Sequence, residues 1–262
     1  MADAFVLRLL APDHDPDRMV EAAAEWVAVD SGGARLGNVA RGSLAEAAAA
    51  AAGGRRVIAL VPGADVVLAQ PELPGRTQNR LLQLAPVALE ENLAADIESL
   101  HFAVGRAGTD RRVPVAAVDR ARFRGWLESL RAAGLEPAAV YPDSLVVPAN
   151  PAHVVLLLDG PRVHLRRPGA LPFALEADPM DAALLVAGLP PADPADAQAT
   201  HLMVYASPAD WEHARPAVEA LRERIGSVKV QLLPDGPLPV YAGTAVTEPP
   251  FSLLQGEFTV RQ

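Results

Sequence analysis

The sequence has no cysteine and no long apolar run, and each absence excludes a class of protein. Without cysteine there is no disulfide framework, no thiolate nucleophile and no cysteine-ligated metal. Apolar runs such as V-V-L-L-L at residues 154–158 have the length of a strand. A membrane-spanning helix needs about 20 apolar residues, and the opening M-A-D-A-F shows no secretory signal. The chain as given is therefore expected to be soluble.

Positive charge is also scarce, with 23 Lys and Arg against 32 Asp and Glu and a net charge of -9 at pH 7. Nucleic-acid binding needs clustered Lys and Arg to neutralise phosphates. The densest basic stretches, Arg111-Arg112 and Arg162 with Arg166-Arg167, are short. The charge pattern therefore predicts no nucleic-acid partner. Since 50% of the residues are hydrophobic and 21% are charged, the composition is that of a folded globular protein.

Common catalytic and metal-binding motifs are missing as well. There is no G-x-S-x-G elbow, no H-E-x-x-H pair and no P-loop. The six histidines show no metal-ligand spacing; they are His14, His101, His153, His164, His201 and His213. The sequence therefore predicts a protein that is not an enzyme and that needs neither a cofactor nor a metal.

Two glycine turns that follow strands leave an alternative open. They lie at residues 30–33 (D-S-G-G) and at Asp159-Gly160. Such turns can direct backbone amides at a phosphate, and the Asp could hold a metal ion. Asp and Gly are also the usual residues of hairpin turns, however, and neither turn is followed by a helix. The pattern therefore favours hairpin turns.

Hydrophobic periodicity predicts a mixed α/β protein. Between residues 66 and 141 the order strand, helix, strand, strand, helix, strand is that of a ferredoxin-like unit. The pattern S-L-A-E at residues 43–46 predicts a capping box at the start of a helix. Residues 154–158 and 163–167 are predicted to form a hairpin. Residues 189–199 are predicted to be a loop, and the Pro-rich chain from Pro234 is predicted to be extended.

Four acidic residues cluster at the junction between the predicted helix of the ferredoxin-like unit, from Thr77 to about Ala94, and the next strand: Glu90, Glu91, Asp96 and Glu98. They could serve as acid and base groups, but such a run is more often a solvated helix end. Because the run is acidic and expected to be solvated, we predict that it forms the rim of a protein-contact surface.

Two motifs carry a resemblance to a known family. The first spans residues 61–105 and contains V-P-G-A-D-V-V-L, E-L-P, L-L-Q-L-A-P-V-A-L-E-E-N-L and D-I-E-S-L-H-F-A-V-G. The second is L-L-Q-G-E-F at residues 253–258. In order and spacing they resemble the type II secretion system protein L family, whose members carry L-L-Q-G before a single transmembrane helix. The resemblance covers essentially the whole chain.

The resemblance implies an actin-like (ribonuclease H-like) ATPase fold with an inserted ferredoxin-like subdomain. Residues 1–62 and 143–250 would form the two actin-like subdomains, residues 63–142 the insert and residues 251–262 a membrane-proximal tail. A transmembrane helix would follow the tail. The family resemblance thus places the chain on the cytoplasmic side of the bacterial inner membrane, as part of a single-pass protein.

The resemblance also implies partners and a lost activity. The N-terminal domain of the secretion ATPase (protein E) would dock on this region, protein M and other platform proteins would join it, and a homodimer is possible. Active actin-like ATPases carry D-x-G on the first strand and again at a second hairpin. Here the first strand, F-V-L-R-L, has neither residue, and Pro161 after Asp159 and Gly160 offers no amide. The nucleotide site is therefore predicted to be degenerate, with an active ATPase or kinase-type enzyme and a pilus protein M-like adaptor as alternatives.

Overall fold

A computed structural model of the chain describes residues 3–10, 23–52, 55–75, 77–108 and 111–259. The chain forms two compact units, one of Met1–Val146 with Ala242–Gln262 and one of Val147–Tyr241. Within the described ranges, no helix is both long and apolar enough to cross a bilayer. Strands and helices alternate along the chain, so the predicted α/β class is confirmed.

The first unit contains a five-stranded sheet and a three-stranded sheet. Its described strands and helices are β1 (Ala4–Leu9), β2 (Ala23–Val29), β3 (Ala40–Ser43), α1 (Leu44–Ala51), β4 (Arg56–Val61), β5 (Val66–Ala69), α2 (Gln78–Leu89), β6 (Leu100–Val104), β7 (Val115–Asp119), α3 (Arg120–Ala132) and β8 (Ala139–Pro142). The larger sheet has the order β3-β2-β1-β4-β8, and the smaller one has the order β5-β7-β6. In the larger sheet β2 is antiparallel to β1 and β3, whereas β4 is parallel to β1 and β8.

The second unit contains one five-stranded sheet. Its described elements are β9 (Val154–Asp159), β10 (Arg162–Arg166), β11 (Phe173–Glu176), α4 (Met180–Val186), α5 (Pro194–Ala199), β12 (His201–Ala206), α6 (Pro208–Arg222) and β13 (Ser227–Leu232), and α7 (Leu238–Thr247) continues from this unit into the first. The sheet has the order β11-β10-β9-β12-β13. Its directions match those of the larger sheet in the first unit, with an antiparallel hairpin pair on one side and parallel strands on the other. The two five-stranded sheets, one in each unit, thus have the same topology, although no repeat is visible in the sequence.

Local sequence signals explain where several helices begin. The Ser43 side chain accepts a hydrogen bond from the Glu46 amide (3.3 Å), and the Glu46 carboxylate accepts from the Ser43 amide (2.7 Å), so the predicted capping box is confirmed. Asp119 caps α3 by accepting from the Arg122 amide at 2.7 Å. α3 then buries Phe123, Leu127 and Leu130 in the core of the first unit. Three- and four-residue spacing places these side chains on one face.

Two predictions for the second half of the chain are wrong. The predicted loop at residues 189–199 contains α5, which Asp193 caps by accepting from the Ala195 amide at 2.7 Å. The predicted extended chain after Pro234 contains α7. Both segments are rich in proline, which disfavours the interior of a helix. In α5, however, Pro194 stands in the first turn, where its missing N–H costs nothing.

The ferredoxin-like order of elements in residues 66–142 is present, but its last strand pairs elsewhere. β5, β6 and β7 form the three-stranded antiparallel sheet. β8 instead pairs in parallel with β4, so it completes the larger sheet. The local pattern of a strand does not state which neighbour it will bond to, because every buried strand needs the same backbone partners. The order of elements along the chain therefore predicted that β8 is a strand, but it did not predict which sheet β8 joins.

Candidate partner-binding site

The four acidic residues predicted to form a contact rim lie on one connection between α2 and β6, which we call the acidic connection (residues 90–99). α2 ends at Leu89, and two short 3-10 turns follow, Glu90–Asn92 and Ile97–Ser99. Glu90, Glu91, Asp96 and Glu98 are all exposed. All four predicted residues are therefore exposed on one short connection. Whether they bind a partner stays a prediction.

Hydrogen bonds and packing hold the backbone of the acidic connection in place. The Asp96 carboxylate accepts from the Glu98 amide at 3.0 Å, and the Ser99 hydroxyl donates to the Asp96 carbonyl at 2.6 Å. Leu93 and Ile97 are half-buried and pack against the core of the small sheet. The acidic side chains are therefore presented from an anchored backbone.

The charges of the acidic connection are not neutralised within the described part of the chain. There, no Lys, Arg or His side chain forms an ion pair with Glu90, Glu91, Asp96 or Glu98. One turn earlier on α2, the Val87 side chain is 67% exposed. Unpaired acidic groups beside an exposed apolar side chain suit a basic protein surface with an apolar spot.

The glycine turn after β2 is stabilised by its own aspartate. Asp30 Oδ1 accepts from the amides of Gly32 and Ala34, both at 2.8 Å. The Asp30 backbone amide donates to the Ala34 carbonyl at 2.9 Å. One oxygen of the Asp30 carboxylate thus holds the turn, and two amides that could have faced a phosphate are already used. This geometry is that of an Asx turn.

The turn after β9 is the two-residue loop of a hairpin. Asp159 and Arg162 pair across it, and Gly160 has φ +56°, in the left-handed region that favours glycine. The Tyr241 hydroxyl donates to Asp159 Oδ2 at 3.4 Å, and His164 Nε2 lies 3.8 Å from the same oxygen. The predicted hairpin is confirmed. Asp159 contacts residues of its own unit, and the degenerate nucleotide site stays a prediction.

The two motifs that carry the family resemblance meet in the first unit. His101 of the first motif donates from Nε2 to the Leu253 carbonyl of the second at 2.7 Å. The Gln255 side chain accepts from the Val104 amide (3.1 Å) and donates to the Val104 carbonyl (3.0 Å). β6 is an edge strand, so the Gln255 amide takes the place of a neighbouring strand there. A segment of about six residues, 253–258, is thereby bound to the small sheet.

An aromatic cluster surrounds the His101 side chain. Its ring stacks on Phe123 with centroids 5.1 Å apart, and Phe258 approaches both rings edge-on at 4.8 Å. Burial lowers the pKa of His101 below its ordinary value, although the hydrogen bond to Leu253 and the charge of Glu257 act in the opposite direction. The imidazole is therefore held in its neutral form, with Nε2 carrying the proton that the carbonyl accepts.

The same C-terminal segment also closes the free edge of the larger sheet. The Leu253 amide donates to the Val140 carbonyl at 2.9 Å, and Ser252 Oγ accepts from the Val140 amide at 3.1 Å. β8 would otherwise present these groups as an unpaired edge. The segment therefore connects the β8 edge of one sheet to the β6 edge of the other.

A buried cluster of charged groups lies in the first unit and was missed by sequence reasoning. Arg8 on β1 donates to Asp143 from Nε (3.0 Å) and from a terminal nitrogen (2.8 Å), and to Glu25 at 3.2 Å. The Gly63 amide donates to the other Asp143 oxygen at 2.8 Å. Arg8 on an otherwise apolar strand was the available signal, because a buried guanidinium requires carboxylate partners. The sequence offered no means of choosing which ones.

Comparison with known proteins identifies a family. A family model described as type II secretion system (T2SS), protein L matches residues 17–261. Proteins named type II secretion system protein L match at 39% identity over 89 residues in Dickeya chrysanthemi, at 36% over 133 residues in Pectobacterium carotovorum and at 34% over 99 residues in Vibrio cholerae. These matches cover 34%, 48% and 38% of this chain but only 22%, 30% and 24% of the relatives' own length.

Solved structures show the same fold. The cytoplasmic domain of EpsL, an inner-membrane component of the type II secretion system of Vibrio cholerae, covers 98% of this chain and is itself covered completely, with a TM-score of 0.72 at 20% identity. One chain of the PilM–PilN type IV pilus biogenesis complex covers 93% of this chain, and 96% of its own length is matched, with a TM-score of 0.57 at 15% identity. The chain therefore has an actin-like ATPase fold, as predicted.

Proposed function

The chain belongs to the type II secretion system protein L family, and on that premise we propose that it is a component of the secretion system's inner-membrane platform. It binds the N-terminal domain of the secretion ATPase, protein E, on the cytoplasmic side of the membrane. Protein M and other platform proteins bind elsewhere. Its role is to hold the ATPase and couple it to the platform, not to catalyse a reaction.

The observation that supports this proposal is the short path between the acidic connection and the C-terminal motif. β6 is a buried strand of 5 residues that begins directly after the acidic connection. Its last residue, Val104, bonds to Gln255 through both backbone groups. By the family resemblance, the segment that contains Gln255 precedes a membrane helix. A load on the acidic connection would therefore reach the membrane-proximal segment through hydrogen bonds and packed side chains.

A direct binding measurement tests the acidic connection as the docking surface. We expect the double substitution Glu90→Lys with Glu91→Lys to weaken binding of the ATPase N-terminal domain by about tenfold or more, because it places positive charges opposite a basic partner. The matched control is Glu128→Lys with Glu136→Lys, which reverses two exposed charges on the same unit. Isothermal titration calorimetry at low and high salt measures the affinity and its electrostatic share.

Two outcomes of this experiment count against different parts of the proposal. Equal affinity for the Glu90/Glu91 variant and the control would remove the acidic connection as the docking surface. If the unsubstituted chain does not bind the ATPase domain at all, recruitment of the ATPase is wrong.

The rival proposal, an active ATPase or kinase-type enzyme, is tested with nucleotide. We expect no ATP binding in the presence of Mg²⁺, because Pro161 offers no amide and Asp159 already accepts from Tyr241. Submillimolar binding in calorimetry that disappears with Asp159→Ala would favour the enzyme instead.

A further inference from the structure

Two histidines lie side by side where two neighbouring strands of the second unit begin. β9 and β12 are parallel, with Leu202 opposite Val154, so His201 and His153 precede these positions on adjacent strands. Their ring centroids are 5.8 Å apart. A zinc–nitrogen bond is about 2.0–2.1 Å long and each ring centre lies about 1 Å further back, so two imidazoles on one ion have centroids about 5–6 Å apart. The observed separation is in this range.

The tautomer of His153 follows from its hydrogen bonds. The Asn150 side-chain oxygen accepts from the backbone amides of Ala152 (2.9 Å) and His153 (3.1 Å), which identifies that atom as oxygen. The same oxygen lies 3.1 Å from Nδ1 of His153. An amide oxygen can only accept, so Nδ1 carries the proton and Nε2 has a free lone pair. Metal-binding histidines are commonly prepared in this way.

His201 is oriented by a hydroxyl partner. Its Nδ1 lies 2.9 Å from the hydroxyl of Ser227, and Ser227 is the residue of β13 that pairs with His201. With Nδ1 donating to this hydroxyl, Nε2 of His201 also has a free lone pair. The His201 side chain is exposed and that of His153 is half-buried, so an ion can reach both rings from solvent.

We propose that Nε2 of His153 and Nε2 of His201 form a binding site for one late first-row divalent cation, with zinc as its test ion. Imidazole nitrogen is a good ligand for Zn²⁺, Ni²⁺ and Cu²⁺, whereas Mg²⁺ and Ca²⁺ prefer oxygen. Among the described residues, no group of three or more His, Asp or Glu side chains surrounds the site, so water completes the coordination. The ion would join the residue that precedes β9 to the first residue of β12.

The charges around the pair set its affinity. Burial lowers the pKa of His153, and the positive charge of Lys229 and the neighbouring His201 act in the same direction. Because Lys229 also repels a divalent cation, Lys229→Gln is expected to strengthen zinc binding although Lys229 is not a ligand.

The experiment uses the chain without a polyhistidine tag and titrates it with ZnCl₂ in a calorimeter. We expect one zinc per chain, and a rise of the unfolding temperature with zinc concentration. His153→Gln and His201→Gln should each weaken binding by about tenfold or more, the lower end of the loss measured even for residues that only orient a ligand. The matched control is His213→Gln on α6, outside the pair, which should leave the affinity unchanged.

Three results would overturn the proposal. The first is the absence of zinc binding at millimolar concentration, and the second is unchanged binding in a His153→Gln/His201→Gln double variant. The third is a ratio of one zinc to two chains with a dimer in light scattering, because the ion would then join two copies and not two strands. Stronger binding by Lys229→Gln would support a cation at this position.

Discussion

His101 donates a hydrogen bond from Nε2 to the carbonyl of Leu253, 2.7 Å away and 152 positions later in the chain. The contact joins two sequence motifs that are far apart along the chain. It also fixes the proton on one nitrogen of a buried ring, because a carbonyl only accepts. The C-terminal segment is therefore part of the packed first unit.

The protonation of His101 makes stability depend on pH. Burial lowers its pKa in the folded chain below the ordinary value of 6.5. As the pH falls below about 6.5, the unfolded chain binds a proton that the folded chain does not, so the free energy of unfolding decreases. The contribution is complete above pH 6.5 and is lost as the pH falls towards the folded pKa. We expect urea unfolding to show lower stability at pH 5.5 than at pH 7.5.

The variant His101→Gln should flatten this dependence, since glutamine can donate to Leu253 but does not titrate. Part of the dependence will remain, because the pKa of His153 is also lowered. The control is the exposed His213→Gln. Equal pH profiles for the two variants would contradict the role given to His101.

The substitution Gln255→Met should destabilise the first unit by about 1–3 kcal/mol, because it keeps the volume but leaves the buried amide and carbonyl of Val104 without partners. Unfolding in urea followed by tryptophan fluorescence measures the effect, since Trp26 and Trp126 lie in this unit. The control Glu248→Gln alters an exposed side chain nearby. A loss no larger than that of the control would show that the edge of β6 does not need Gln255.

The substitution Asp143→Asn should cost about 1.5–3 kcal/mol, because it replaces the charged acceptor of two hydrogen bonds from the buried Arg8 with a neutral one. The matched control is Asp65→Asn, which removes the partner of Arg122 at the surface and should cost less than about 1 kcal/mol. Denaturant unfolding at constant pH compares the two. Similar losses for both variants would mean that burial adds nothing to this ion cluster.

The substitution Gly63→Ala should destabilise the chain by about 1–3 kcal/mol, as overpacking does. A Cβ at this position would lie 2.5 Å from Ser144 Oγ and 2.6 Å from Asp143 Oδ1. At Gly125 in α3 a Cβ meets nothing within 4 Å, so Gly125→Ala should stabilise by about 0.5–1 kcal/mol. Thermal unfolding should therefore shift in opposite directions. Two shifts of the same sign would contradict the claim that Gly63 is tightly packed and Gly125 is not.

The sequence determined the family and most of the elements, with α5 and α7 as exceptions. Periodicity located the main strands and helices, and the capping residues Ser43 and Asp119 marked helix starts that the structure confirms. These signals are local, because a capping hydroxyl and its amide are only three residues apart. The acidic run was also visible, since solvated charges need no distant partner to be recognised.

Tertiary structure decided which distant groups pair. The Arg8–Asp143 ion pair, the bond from His101 to Leu253 and the pairing of β8 with β4 join residues that no local pattern connects. A buried arginine requires a carboxylate and a strand edge requires hydrogen bonds, but many residues could have supplied either. The same holds for His153 and His201, which each appeared solitary in the sequence. Only the parallel pairing of β9 and β12 brings them together.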